Sequence, residues 1–347
     1  NSMTDAMYLA KEKLEGAYAI AAIDMSDDEK LVVARNKSPL LLGLGTDEFF
    51  AASDPLAIAQ YTNDFVFLEE GDVAELTANT YKVFDANQNE VEREVTHIDI
   101  TNQAMSKGDY KHYMEKEIYE QPEAIMNTIN GRIGGDDVLD NIFGLGSSDL
   151  FAEVKRIQIV ACGTSLHAGR VAANWLSAIA DLPCQVDYAS EYRYRNPHVD
   201  KNSLLITISQ SGETADTLAA LRYAKEKDYL ASVGVCNVPT SSLARESDFV
   251  MFTNAGPEIG VASTKAFTTQ LAALMLLTLS LAKSRNLNPK LRTRLVNGLR
   301  ALPEIINETL ELKEQILEIA PNIANKENAL FLGRGIFYPI AKEGALK

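Results

Sequence analysis

The sequence predicts an α/β protein, a doubly wound parallel sheet preceded by a smaller β-rich module. Three observations carry this reading. From about Val154 onward, continuous apolar runs alternate with helical patterns, as in a parallel sheet covered on both faces. Before residue 100 the apolar runs are short, alternate with polar residues and end in turn chemistry, as in antiparallel strands. Residues 101–145, between them, are polar and hold neither pattern for long.

The β-rich module is expected to place strands at residues 17–23, 31–34, 40–44, 65–68, 73–76 and 81–84. Ser38-Pro39, Gly43-Leu44-Gly45 and Glu70-Gly71-Asp72 supply turns between them. In the connector, Gln121-Pro122 opens a helical pattern through Ile129, and the charged run Glu115 to Glu120 reads as a solvated face. The first strand of the parallel sheet is expected at 157–161, ending in Cys162-Gly163-Thr164-Ser165 and followed by a helix through Ile179. Further strands are expected at 184–188, 204–208, 232–236 and 249–253, closed by an apolar helix at about 265–284. Its most apolar part, 271–281, is shorter than the roughly 20 residues that span a bilayer and reads as buried. A helical region at 289–319 then leads to Ala329-Leu330-Phe331-Leu332-Gly333-Arg334-Gly335, which reads as a strand and a Gly-x-Gly turn opening a second copy of the unit.

The 347 residues include 33 Lys plus Arg against 48 Asp plus Glu, a net charge of −15, with 46% hydrophobic residues. This is a globular composition, neither disordered nor collagen-like. The acidic balance argues against nucleic acid or an anionic membrane surface as partner, because both require a basic face. Cys162, Cys184 and Cys236 form no close pair and no metal-type spacing, so a reduced, cytoplasmic setting is expected. Asn1-Ser2-Met3-Thr4 has neither a basic nor an apolar leader pattern, so no secretory signal is expected.

Ligands of open parallel sheets bind beyond the carboxyl ends of the strands, at helix N-termini. After the strand at 204–208, Ser209-Gln210-Ser211-Gly212-Glu213-Thr214 offers three hydroxyls, a glycine for the turn and the start of a helix. Such a loop cradles a phosphate without a cationic side chain, which suits an acidic protein. Thr164 and Ser165 stand at a second such end. One loop of this kind is usually an N-cap; two in one sheet favour a pocket. In the third segment, from Gly256 to Lys265, Ser263 or Thr264 serves as readily for capping as for ligand contact. Lys265 reads either as a solvated lysine at a helix start or, because a cation there opposes the helix dipole, as a residue with some function or partner. His97, His112 and His198 read as surface imidazoles, whereas His167 is placed either to reach a ligand or to cap a helix. Neither a metal cluster nor a Ser/His/Asp set can be assembled.

Three strings carry a specific resemblance: Cys162-Gly163-Thr164-Ser165, Ser209 through Thr217, and Glu258-Ile259-Gly260-Val261-Ala262-Ser263-Thr264-Lys265-Ala266-Phe267. They resemble the bacterial glucosamine-6-phosphate synthase family, the glutamine:fructose-6-phosphate aminotransferases (isomerising). Arg35 to Pro39, Ala52-Ser53-Asp54, His112 to Pro122 and Glu343 to Lys347 extend the likeness along the whole chain. The resemblance implies an N-terminal-nucleophile glutaminase that releases ammonia from glutamine. It also implies two sugar-isomerase (SIS) subdomains that aminate fructose 6-phosphate and isomerise it to glucosamine 6-phosphate. On that pattern residues 1–100 are the C-terminal part of the glutaminase, 101–145 a connector and helical lead-in, 146–290 the first SIS domain, and 291–347 a connecting helix and the start of a second. Ser209, Gln210, Ser211 and Thr214 match the family's phosphate-binding loop; Thr164, Ser165, Val261, Ser263 and Lys347 match positions around the sugar.

The family uses no metal or organic cofactor, and the resemblance further implies a cytoplasmic homodimer. Residue 1 is Asn and no cysteine precedes Cys162, so the nucleophilic cysteine is expected to be absent. The chain also stops before the family's general-base glutamate, ring-opening histidine and Schiff-base lysine, so no catalytic residue is assigned within it. The 347 residues are therefore expected to bind sugar phosphate at best weakly and to turn over nothing. The rival readings are a non-catalytic SIS-type phosphosugar sensor and a phosphosugar isomerase without amination.

Overall fold

The computed structural model describes residues 2–25, 27–98 and 106–347; Asn1 and residues 101–105 of the expected connector lie outside the described residues. The chain divides into two compact units, Asn1–Ser106 and Lys107–Lys347.

The first unit opens with α1 (Met3–Lys11), whose N-terminus is closed by a reciprocal Ser2–Asp5 capping box. Nine strands follow: β1 (Tyr18–Asp24), β2 (Asp27–Asn36), β3 (Leu41–Leu44), β4 (Phe49–Ala52), β5 (Asp64–Phe67), β6 (Val73–Leu76), β7 (Tyr81–Phe84), β8 (Glu90–Val91) and β9 (Val95–His97). They form two antiparallel sheets, ordered β1-β2-β6-β7-β8 and β4-β3-β5-β9. Val33, Ala74 and Val83 of one sheet share a core with Leu42 and Val66 of the other. On the opposite face of β2, Val32 and Ala34 pack on Met7 and Tyr8 of α1. This explains why β2 is apolar at consecutive positions: it is covered on both sides. The six expected strands all form. The helix α1 and the short β4, β8 and β9 were not expected, since their own patterns are weak and their pairing comes from neighbours already in place.

The second unit begins with α2 (Tyr113–Tyr119), α3 (Gln121–Ile129), the two-residue strands β10 (Ile133–Gly134) and β11 (Asp137–Val138), and α4 (Ser147–Glu153). The doubly wound part then runs β12 (Arg156–Ala161), α5 (Gly163–Ala180), β13 (Cys184–Tyr188), α6 (Ala189–Tyr192), β14 (Ser203–Ile208), α7 (Ala215–Lys225), β15 (Ala231–Cys236), α8 (Ser242–Glu246), β16 (Phe249–Phe252) and α9 (Lys265–Ala282). All five strands are parallel, in the order β13-β12-β14-β15-β16. Ile157, Ile159, Leu204, Ile206, Val233 and Val235 face one side, where α5 and α9 pack. Val160, Leu205 and Cys236 face the other, against Tyr192, Leu218, Leu221 and Leu243 of α6, α7 and α8. The strands are apolar throughout because both faces are covered.

Among the described residues α9 alone is long and apolar enough to cross a membrane, and it is largely buried inside this unit. Leu274, Leu276, Leu277, Leu279 and Leu281 are each at most 1% exposed, and burying each is worth roughly 1.5–3 kcal/mol. A helix apolar on every side is a core helix, and this one is packed against α5 and α3.

The helical region expected at 289–319 forms as two helices, α10 (Pro289–Leu310) and α11 (Lys313–Ile323), before α12 (Phe337–Leu346). The strand expected at 329–332 does not form: Leu330 and Leu332 are 82% and 83% exposed, and no described strand pairs with them. An apolar run becomes a strand only where a neighbour takes its backbone hydrogen bonds.

Candidate functional site

The strand order reverses between β12 and β14: the chain leaves β12 for the β13 side, then returns to β14 on the other. The carboxyl ends of these two strands meet at the pair Ala161↔Ile208. The crevice beyond such a reversal is where open α/β sheets bind ligands. Here it is flanked by the start of α5 at Gly163 and by the loop Ser209 to Thr214.

That loop is organised by its own hydroxyls. The Ser209 hydroxyl, buried, lies 2.8 Å from Thr214 Oγ1 and accepts the Gly212 amide at 3.0 Å, while Ser211 Oγ accepts the Glu213 amide at 3.1 Å. Thr214 stands at the N-cap of α7 yet makes no side-chain cap bond, so the first-turn amides of α7 are left for a ligand. Among the described residues the amides of Gln210 and Ser211 have no protein acceptor either. Gly212 is required twice. Its φ is +68°, and a Cβ there would stand 2.1 Å from Ser241 Oγ. Glu213 secures the same contact from the other side by accepting the Ser242 amide of α8 at 2.6 Å.

Across the crevice, Thr164 Oγ1 donates to Glu343 Oε1 of α12 at 2.9 Å and accepts from Lys347 Nζ at 3.1 Å. Glu343, 5% exposed, also meets His167 Nδ1 at 2.7 Å and Lys347 Nζ at 2.7 Å. Burial on its own would raise the Glu343 carboxyl, but hydrogen bonds from Lys347, His167 and Thr164 outweigh it and hold the group below its ordinary value. Lys347 thus lies beside Thr164 and Glu343, and Glu343 was not singled out in the sequence. His167 is buried on Glu343 and neither caps α5 nor projects from the surface. Ser165, 8% exposed, accepts from Gln270 Nε2 of α9 at 3.1 Å.

The third segment is tied in by Asn237, at the end of β15, which sequence reasoning also passed over. Its amide donates to the Gln210 carbonyl, its Oδ1 accepts from Ala255 N and Thr253 Oγ1, and its Nδ2 donates to the Gly256 carbonyl. Neither Ser263 nor Thr264 caps α9 with its side chain. The acceptor is Glu258, whose Oε1 takes the amides of Thr264 and Ala266 at 2.8 and 3.1 Å and whose Oε2 takes the Ser263 hydroxyl at 2.9 Å. Val261 is fully exposed. Lys265, 3% exposed, finds the expected partner in Glu120 Oε2 at 2.6 Å. The Glu115 to Glu120 run is therefore not a solvated face: Glu117 is 2% exposed and accepts the Ile259 and Gly260 amides at 2.6 and 2.8 Å.

The remaining histidines lie elsewhere. His97 pairs with Asp64, His198 is exposed beside Asp200, and His112 precedes α2. A cavity of about 360 Å³ opens beside the amino-terminal halves of β12 and β13, away from the crevice; its carboxylate, Asp187, is taken up by Gln158, Gln185 and Arg195. Among the described residues no group of three or more His, Cys, Asp or Glu is arranged to hold a metal ion.

Known proteins match this arrangement. The SIS domain family matches residues 150–280. The chain is 52% identical over 338 residues to a protein of Idiomarina loihiensis and 51% identical over 347 residues to one of Shewanella oneidensis, both named glutamine–fructose-6-phosphate aminotransferase (isomerising). These matches cover 97% and 100% of the chain but only 55% and 57% of the relatives, so the chain spans little more than half their length. Among solved structures, the C-terminal domain of the glucosamine-fructose-6-phosphate aminotransferase of Francisella tularensis superimposes with a TM-score of 0.68 at 50% identity, over 70% of this chain and 68% of that one. With half of its residues in common with these relatives over nearly its whole length, and its fold shared with the solved domain, the chain belongs to the glutamine–fructose-6-phosphate aminotransferase (isomerising) family.

Proposed function

We propose that this chain is part of an enzyme that converts fructose 6-phosphate and glutamine into glucosamine 6-phosphate and glutamate, and that it supplies the phosphosugar anchor. Ser209, Gln210, Ser211 and Thr214 receive the phosphate; Thr164, Ser165, Val261, Ser263 and Lys347 line the sugar. Residues 1–100 correspond to the later part of a glutaminase domain, 101–145 to a connector, 146–290 to the first SIS domain, and 291–347 to a connecting helix and the start of a second. The complete protein on this reading is a cytoplasmic homodimer without a metal or organic cofactor.

One observation carries the assignment: a hydroxyl-lined loop with unfilled amides opens onto the strand-order reversal, opposite Thr164 and Lys347. Hydroxyls and amides stabilise a dianion by hydrogen bonding, and Lys347 places a cation beside Thr164. Holding the phosphate lets binding energy remote from the reacting carbons orient them. We assign these residues anchoring and orientation rather than turnover. The test is calorimetric titration of the 347-residue chain with fructose 6-phosphate, glucose 6-phosphate and inorganic phosphate. Preference for the hexose phosphates supports the anchor; no binding by a folded chain overturns it.

A further inference from the structure

Glu117 is an unusual way to hold a loop. Its side chain on α2 is 2% exposed, and among the described residues its acceptor bonds run to the backbone amides of Ile259 and Gly260, more than 140 residues away. Its second oxygen, Oε2, is buried without a partner among the described residues. Enclosing a carboxylate in this way costs solvation that an apolar side chain of similar size would not. The loop is shaped to permit it: a Cβ on residue 260 would stand 2.6 Å from Glu117 Oε2, so only glycine lets the backbone come this close. The return is directional, because two charge-assisted bonds set the orientation of both peptide planes. The next residues are Val261, fully exposed, and Ser263, held by Glu258.

We propose that Glu117 is a positioning residue for the sugar side of the site. It orients the Ile259–Gly260 peptides so that Val261 and Ser263 meet the hexose, while the turn of the phosphate loop is set by the Ser209–Thr214 and Ser209–Gly212 bonds, to which Glu117 contributes nothing. This rests on the phosphosugar reading above. Glu117 never touches ligand; it acts through the backbone, so its loss weakens recognition of the hexose and spares recognition of phosphate.

The test compares fructose 6-phosphate with inorganic phosphate by calorimetry on the 347-residue chain and on Glu117→Ala, Glu117→Gln and Gly260→Ala. In Glu117→Ala the Kd for fructose 6-phosphate is expected to rise about tenfold, with that for inorganic phosphate changed less than about twofold. Glu117→Gln keeps a carbonyl oxygen as acceptor and is expected to restore most of the hexose affinity. Should Glu117→Ala fail to fold, Gly260→Ala pushes the backbone away from an intact carboxylate and is expected to give the same split. Equal weakening of both ligands marks a purely structural role and overturns the proposal, as does unchanged hexose affinity in a folded variant. Absence of fructose 6-phosphate binding by the unsubstituted folded chain overturns the phosphosugar reading itself.

Discussion

Two loops of the second unit are built on different plans. The turn of the loop Ser209 to Thr214 is set by hydroxyl bonds between residues at most five apart, with one buried hydroxyl at its centre, and Asn237 and Ser242 tie it to its neighbours. The segment Gly256 to Lys265 is held by carboxylates, of which Glu117 and Glu120 come from the far side of the second unit in sequence. A loop that organises itself shows its chemistry in a short string. A loop organised from outside shows only its glycines, and its supports look like surface charge.

Substitutions that separate these plans are expected to differ in size. The largest effect is expected from Gly212→Ala, which adds a Cβ 2.1 Å from Ser241 Oγ at a φ of +68°. It should lower the unfolding free energy by about 3 kcal/mol and abolish hexose-phosphate binding; a wild-type denaturant midpoint with normal binding would show that the turn is not needed. Next comes the Ser209→Ala, Ser211→Ala double variant. Each lost bond to a dianion should cost about 1.5–3 kcal/mol of affinity, and an unaltered calorimetric Kd in a folded protein would reduce the loop to a helix cap.

Lys265→Met tests the externally held loop. It leaves Glu120 beside Lys116 alone, and with Glu120 part-exposed the expected loss is about 1–3 kcal/mol of stability in urea unfolding, with inorganic phosphate affinity unchanged. A variant as stable as the original would mean that the buried lysine is an ornament of packing.

A smaller effect should follow acidification. The Glu343 carboxyl is lowered in the folded state from an ordinary value of 4.5, so its stabilisation is complete above that value and is lost as pH falls through the folded one. Amide protection in α12 relative to the intrinsic exchange rate, followed from about pH 6 to about pH 3, should therefore fall at the acid end. Glu343→Gln should remove that dependence; a dependence that persists would assign it to another group. The smallest expected effect is on thiol labelling. Burial pushes Cys236 up to about 11 and Cys184 to about 12, and raises Cys162, so all three should react slowly near neutral pH. Cys236 lies against Ser241, so faster labelling there in Gly212→Ala would report damage to the self-held loop, and slow labelling would confine the damage elsewhere.

Much of the fold was legible because it rests on patterning. The six expected strands of the first unit and the five of the parallel sheet form, and the apolar helix is buried, since alternation and continuous apolar runs follow directly from which faces are covered. The elements that were missed or misplaced depend on partners. The strands β4, β8 and β9 borrow their register from neighbours, and the run at 329–332 has no described strand to pair with. At the site, the Ser209 to Thr214 string was readable as a hydroxyl-rich turn leading from a strand into a helix, and Lys265 was readable as a cation opposing its helix dipole. Glu117, Glu258, Asn237 and Glu343 were not, because their partners are backbone amides and hydroxyls, which every sequence contains everywhere.

Residue types and spacing by themselves determined the strand-helix alternation, the glycine at 212 and the hydroxyls around it, because those properties depend on neighbours within a few positions along the chain. Only the tertiary structure decided that Glu343 would join Thr164, His167 and Lys347, that Lys265 would meet Glu120, and that Glu117 would receive two amides more than 140 residues away. A carboxylate commits itself to no particular donor until packing removes its water, and which donor is then within reach is a property of the folded chain.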